Sequence, residues 1–193
     1  MVAAAILAGG RAERLGGRVK MHVEVGGRRI IDRQLEVLRP LFEDIAIISN
    51  DPAPFAELDV PVLPDEVKGE GPLRGIASAL AWSPRPRVFV VAGDMPFLNA
   101  DAIRHLLAQS GQVVVPVLDG HADPLHAVYQ RDCLAVVRRR LEAGQRKAAE
   151  LLDDVDTVRV DANVLREFDP ELRCLTNVNT PVDLQNADAR VSS

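Results

Sequence analysis

Cysteine is scarce in this sequence: Cys133 and Cys174 are the only two among 193 residues, and neither sits in a CxxC pair. That speaks against a zinc site and fits a reduced, cytoplasmic compartment. Long apolar runs are missing as well. No stretch approaches the roughly 20 residues of a membrane span, and no basic segment precedes the first apolar run, so neither a membrane segment nor a signal peptide is expected. A basic surplus is also lacking. The formal net charge of −5 argues against broad nucleic-acid binding.

What is present is ordinary in amount and unusual in arrangement. A hydrophobic fraction of 47% and a charged fraction of 26% belong to a soluble globular chain. Residues 1–40 nevertheless hold eight Lys/Arg against four Asp/Glu, while the remainder holds 15 against 24. The positive charge therefore gathers at the N-terminal end, where a small polyanion can be received.

Apolar, β-branched runs read as strands at Val2–Leu7, Asp44–Ser49, Val60–Leu63, Arg87–Val91 and Gln112–Val117, with helical patterns at Ile30–Leu38, Leu73–Trp82 and Asp101–Ala108. An apolar segment Leu125–Tyr129, a helix Arg131–Ala143, a helical patch Lys147–Leu152, a strand Thr157–Val160 and a last helix near Pro181–Ala187 follow. Strands alternating with helices predict a three-layer, Rossmann-like α/β fold with a mostly parallel central sheet. One domain over residues 1–190, with a frayed tail at 191–193, is the economical division.

In such sheets ligands bind at the carboxyl ends of the strands, and the polar residues cluster there. Gly9–Lys20 follow the first strand, Asn50 the second, Asp65 the third and Asp94 the fourth. The loop Leu7-Ala8-Gly9-Gly10-Arg11 to Lys20 matches neither GxxxxGK[ST] nor GxGxxG. Its glycines still let backbone N–H groups approach phosphate oxygens, with Arg14 and Lys20 supplying charge; a surface turn carrying chance cations reads equally well. Asp94, in "VFVVAGDMPFL", is a carboxylate at the tip of a buried strand, which is costly without a cation. Mg²⁺ takes one or two carboxylates together with phosphate oxygens. The competing role for Asp94, a helix N-cap, suits Asn99 better.

Asn50 and Asp65 are also plain turn formers. Gly71 and Gly75 surround a helix start whose free N–H groups can face a ligand. In "TNVNTPVDL", Thr180 caps a helix with Pro181 at its first position and Asp183 at the third, leaving Asn177 and Asn179 without a structural task. His126 lies in no triad order or metal spacing and reads as a structural residue.

Together, LAGG-x3-R-x5-K, Asn50, Asp65, GPLRGI, GDMPFL, PLHAVY and NVNTPVDL resemble the molybdenum cofactor guanylyltransferases, within the larger nucleotidyltransferase group. The likeness runs from Val2 to about Ala187. It implies transfer of GMP from GTP to Mo-molybdopterin, with pyrophosphate released and Mg²⁺ as cofactor. It further implies that Leu7, Ala8, Gly9 and Gly10 contact the nucleotide, Lys20 and Arg14 its phosphates, and Asn50 and Asp65 the guanosine. Gly71 would adjoin the same ligand, Asp94 would bind Mg²⁺ and nucleotide, and Asn177 and Asn179 would lie toward the pterin phosphate. Molybdenum cofactor insertion and acceptor proteins are the implied protein partners, with neither nucleic acid nor membrane. A cytidylyltransferase for the same pterin, a sugar-phosphate nucleotidyltransferase, and a nucleotide-binding adaptor with an inactive site are the rival readings. Cytidylyl relatives tend to read LAAG, so Gly9-Gly10 favours the larger guanine.

Overall fold

Side chains alternate across a strand, so each apolar run in this chain feeds two cores. The computed structural model describes residues 1–8, 11–12, 18–19, 22–65 and 71–191, without the side chains of Arg11, Ala12, Arg18 and Val19. In chain order its elements are β1 (Val2–Leu7), the short pairs β2 (Arg11–Ala12) with β3 (Arg18–Val19) and β4 (Glu24–Val25) with β5 (Arg28–Arg29), and α1 (Ile30–Leu38). Then come β6 (Ile45–Ile48), β7 (Val62–Leu63), α2 (Pro72–Trp82), β8 (Arg87–Ala92), α3 (Ala100–Ala108), β9 (Val113–Leu118), β10 (His121–Ala122) and β11 (His126–Gln130). The chain finishes with α4 (Leu134–Glu142), α5 (Ala148–Leu151), β12 (Thr157–Asp161) and α6 (Pro181–Val191).

Among the described residues the main sheet has eight strands in the order β10-β9-β11-β8-β1-β6-β7, with β12 also paired to β9. The pairs β1–β6, β1–β8, β6–β7 and β9–β12 are parallel, and β11 runs antiparallel to both β8 and β9. This is the mostly parallel, Rossmann-like sheet that the alternating pattern predicts. Ala4 and Ile6 of β1 join Phe89, Val91 and Val128 beneath Ile31, Leu35 and Leu38 of α1 and Ile103 and Leu106 of α3. Ala5 and Leu7 join Val88, Val90, Ala127 and Tyr129 beneath Leu73, Ile76 and Leu80 of α2 and Val137 of α4. Each fully buried Val, Leu, Ile or Phe among them contributes on the order of 1.5–3 kcal/mol. Helix α2 approaches the end of β1 closely: a Cβ on Gly75 would stand 2.9 Å from Leu7 Cδ1.

Some boundaries differ from those the sequence suggests. The third strand is confined to Val62–Leu63, and the helix expected from Arg131 opens as a 3-10 turn, Arg131–Cys133. The segment Leu125–Tyr129 is a strand shifted by one residue, to His126–Gln130. Helix α6 continues to Val191, whose side chain lies against Gly26 in the β4–β5 turn. The Gly26 N–H donates to Asp188 Oδ1 at 2.8 Å, so α6 clasps the hairpin that precedes α1.

His126 is structural, as expected. It is fully buried with its ring edge-on to Phe89 at 5.2 Å, and burial lowers its pKa from 6.5 to about 4. Between pH 6.5 and 4 the unfolded chain takes up a proton that the native state refuses, so stability is lost as pH falls through that window. The expected loss is about 3 kcal/mol. His126→Leu should abolish that part of the slope in denaturant titrations at pH 7, 5.5 and 4.5; an unchanged slope would assign the acid sensitivity to other groups.

Candidate active site

The carboxyl ends of β1, β6, β7 and β8 bring most of the sequence-selected residues to one edge. Gly9, Gly10, Arg14 and Lys20 lie outside the described residues. Leu7 and Ala8 end β1, and their backbone is already in use: Leu7 C=O accepts from Gly93 N–H at 3.0 Å, and Ala8 N–H donates to Ile48 C=O at 2.9 Å. The Leu7 side chain belongs to the core beneath α2.

Asp94 follows β8 in a bend held on several sides. Ala92 N–H donates to Leu125 C=O at 2.8 Å, Gly93 is tied to Leu7, and Asp94 C=O accepts from Val178 N–H at 2.8 Å. Asp94 does not cap the next helix. Asn99 Oδ1 accepts from the N–H groups of Asp101 and Ala102 at 2.9 and 3.0 Å, so α3 has its own cap.

The bond to Val178 explains why an apolar residue separates two asparagines. Val178 is buried with Val23, Val25, Ile30 and Ala187, while Asn177 and Asn179 on either side are exposed. Anchoring the valine beside Asp94 therefore sets both amides at the rim of the same bend. The cap expected after them is present. Asp183 Oδ2 accepts from Asn179 N–H and Thr180 N–H at 3.0 and 2.8 Å, and Asp183 N–H donates to Thr180 Oγ1 at 3.2 Å. Those donors, first the Asn179 N–H, hold the Asp183 carboxyl below its ordinary pKa.

Asn50 and Asp65, fifteen positions apart, bond to each other twice. Asn50 Nδ2 donates to Asp65 Oδ2 at 3.0 Å, and Asp65 N–H donates to Asn50 Oδ1 at 2.9 Å. Arg74, one turn into α2, comes within 3.6 Å of the same carboxylate, and both side chains are only 14% exposed. Asn50, Asp65 and Arg74 thus form one polar cluster beside the start of α2. Gly71 opens that helix with φ 102° and ψ 154°, with Pro72 in the first turn and no side-chain cap.

Sequence reasoning missed Asp123. The last β8–β11 rungs pair Val91 with His126 and tie Ala92 to Leu125. Asp123 stands in the turn ahead of β11, its C=O accepting from His126 N–H at 3.1 Å, close enough to Asp94 to feel its charge. Leu125 N–H donates to Asp123 Oδ1 at 3.0 Å, and Tyr129 Oη donates to Pro124 C=O at 2.7 Å, fixing the turn. Burial, and secondarily the charge of Asp94, raises the Asp123 pKa above the usual carboxylate range. Two like charges near each other are unfavourable unless a cation joins them. The available signal was positional, a carboxylate directly ahead of a strand that turns out to pair with β8; without the pairing it resembles any Asp-Pro turn. An open cleft of about 610 Å³ lies here, between Gly71–Pro72, Asp123–Leu125 and Arg146–Ala149.

A mostly parallel sheet with acidic and amide groups gathered at its carboxyl edge suits a nucleotidyltransferase. The fold agrees with a 2-C-methyl-D-erythritol 4-phosphate cytidylyltransferase from Thermus thermophilus, 16% identical with a TM-score of 0.72 over the full length of both chains. The comparisons are closer still within one family. Residues 4–160 match the profile of the MobA-like NTP transferase domain. A probable molybdenum cofactor guanylyltransferase from Pelotomaculum thermopropionicum is 35% identical over 94% of this chain and 89% of its own. A molybdenum cofactor guanylyltransferase from Desulfosudis oleivorans is 30% identical over 97% and 95%. The structure of molybdopterin-guanine dinucleotide biosynthesis protein A from Archaeoglobus fulgidus is 29% identical with a TM-score of 0.86, over 100% of this chain and 99% of that one. The chain belongs to the molybdenum cofactor guanylyltransferases of the MobA-like NTP transferase family.

Proposed function

We propose that this protein transfers GMP from GTP to Mo-molybdopterin, giving the guanine dinucleotide cofactor and pyrophosphate. Support comes from the near-full-length relationship to proteins named for that activity. The structural observation that carries it is the Asp94 bend, bonded on one side to the end of β1 and on another to the Asn177–Asn179 segment. A nucleotide entering from the β1 loop and an acceptor lying toward the asparagines would meet there.

Chemically, an oxygen of the pterin phosphate attacks the α-phosphorus of GTP, and the bond to the bridging α–β oxygen breaks to release pyrophosphate. The attacking phosphate is ionised at neutral pH, so no general base is required. What the reaction needs is alignment and positive charge. Lys20 and Arg14 are assigned to the triphosphate, the Asn50–Asp65–Arg74 cluster to the guanosine, and Asn177 and Asn179 to the acceptor.

Mg²⁺ fits the donors on this edge. Among the described residues no three or more acidic, histidine or cysteine side chains form a metal cluster. Two neighbouring carboxylates, Asp94 and Asp123, suit an ion that takes one or two protein oxygens and fills its shell with phosphate and water. Bound there, Mg²⁺ would supply charge neutralisation of the triphosphate. Among the described residues no helix is long and apolar enough to cross a membrane. The reaction is assigned to the cytoplasm, with its product passed to molybdenum cofactor insertion and acceptor proteins.

GTP with Mg²⁺ is expected to raise the melting temperature more than CTP, ATP or UTP. At a hundredfold excess over the dissociation constant, binding adds about 2.7 kcal/mol, or about 5–10 °C for a chain of this size. A larger shift with CTP would overturn the guanine assignment and leave nucleotidyl transfer standing. Asp65→Ala is expected to weaken GTP by about tenfold or more, since one charged hydrogen bond is worth about 1.5–3 kcal/mol. Calorimetric titration checks it, and unaltered affinity would confine Asp65 to holding the turn.

A further inference from the structure

Helix α1 buries Ile30, Ile31, Leu35 and Leu38, and among them it buries Gln34 with no exposed surface. An amide in such surroundings is costly unless its hydrogens are used. Gln34 Nε2 donates to Ala92 C=O at 2.7 Å and to Met95 C=O at 3.0 Å. These carbonyls bracket Gly93 and Asp94, where β8 leaves its ladder and backbone acceptors must find new donors. One side chain thus clamps both ends of the turn that carries the Asp94 carboxylate. Packing alone does not call for an amide here, because leucine or methionine would fill the same face of α1.

Where α1 sits gives the clamp a second consequence. Its first residue, Ile30, donates to Val23 C=O at 3.0 Å, and the β4–β5 hairpin joins α1 to the segment following Lys20. The bend is therefore held by β1 through Gly93, by the asparagine segment through Asp94 C=O, and by α1 through Gln34.

We propose that Gln34 is a positioning residue for the transfer reaction, setting the Asp94 carboxylate from α1 without touching substrate. This rests on Asp94 being the carboxylate that meets metal and nucleotide. Displacements of about 1 Å in such constellations can cost on the order of a hundredfold in rate, and loss of supporting bonds around a metal ligand typically costs about 10–100-fold in metal affinity.

Gln34→Met keeps length and volume and removes both donors. Its Mn²⁺ affinity, read by the electron paramagnetic resonance of free Mn²⁺ with GTP present, is expected to fall about tenfold or more. kcat should fall by about a hundredfold, with the metal-free affinity for GTP unchanged. Gln34→Glu supplies a second measurement. Its ionised form turns negative oxygen toward two carbonyls, whereas its neutral form can donate one bond, so its rate relative to the unchanged protein should rise as pH is lowered from 8 to 6. Wild-type Mn²⁺ affinity in Gln34→Met, or a pH-independent rate ratio in Gln34→Glu, would reduce Gln34 to packing. Mn²⁺ binding is read apart from turnover, so the clamp is judged even if the unchanged protein transfers no guanylyl group, a result that would instead reject the proposed reaction.

Discussion

Asp94→Asn is expected to lower guanylyl transfer by orders of magnitude while leaving the fold intact. The amide is nearly isosteric, and the bonds shaping the bend are made by main-chain atoms of Ala92, Gly93 and Asp94 and by the Gln34 side chain. The substitution keeps all of them. What disappears is a negative charge near Asp123 and, on the proposed reading, the means of holding a divalent cation against the triphosphate. Such a cation is worth several kcal/mol in the transition state. Removing one of two neighbouring like charges also relieves the folded state, so the melting temperature should hold or rise slightly. GTP affinity measured without metal should change little. Melting temperature, affinity and turnover on one preparation decide the matter; turnover within a few-fold of the unchanged protein would make Asp94 a turn residue only.

Gly71→Ala is expected to act in the opposite sense, damaging the fold first. Gly71 adopts φ 102° and ψ 154°, a conformation that residues with a Cβ seldom reach. A methyl group there would also stand 3.1 Å from the Arg146 carbonyl oxygen and 3.3 Å from Arg146 Cβ. Backbone strain of this kind costs about 1–3 kcal/mol, or about 3–10 °C in melting temperature for a chain of this size. Gly120 provides the control: its φ is +77° but nothing lies within 4 Å of the added Cβ. Gly71→Ala should be the more destabilising of the two, and it should disturb the Arg146 side of the cleft as well. Equal losses from both would mean that the contact with Arg146 gives way freely.

The layers were legible because burial alternates so regularly. β1 at Val2–Leu7 and α1 at Ile30–Leu38 have the limits that their apolar patterns indicate. The Asn99 cap and the Thr180–Asp183 box were legible for a similar reason, since both are local chemistry within three residues. Direction was not legible. The run ending at Tyr129 has the composition of any buried strand, and only its pairing shows that β11 runs against β8. Asp123 escaped with it, because its nearness to Asp94 depends on where the turn ahead of β11 falls against the end of β8. Gln34 and Arg74 escaped because each is a single polar residue within a helix, and its partners stand 58 and 9 positions or more away. The glycine-loop residues Gly9, Gly10, Arg14 and Lys20 lie outside the described residues, and their roles in the proposal rest on the sequence resemblance alone.

The most direct test of guanylyl transfer follows one phosphorus atom. The protein is incubated with Mg²⁺, Mo-molybdopterin and GTP labelled in the α-phosphate, and the products are separated. The label is expected in the pterin dinucleotide, with one unlabelled pyrophosphate released for each dinucleotide formed and none without the pterin. Label that stays in GTP, or that leaves as free GMP in the presence of the pterin, would contradict the assignment.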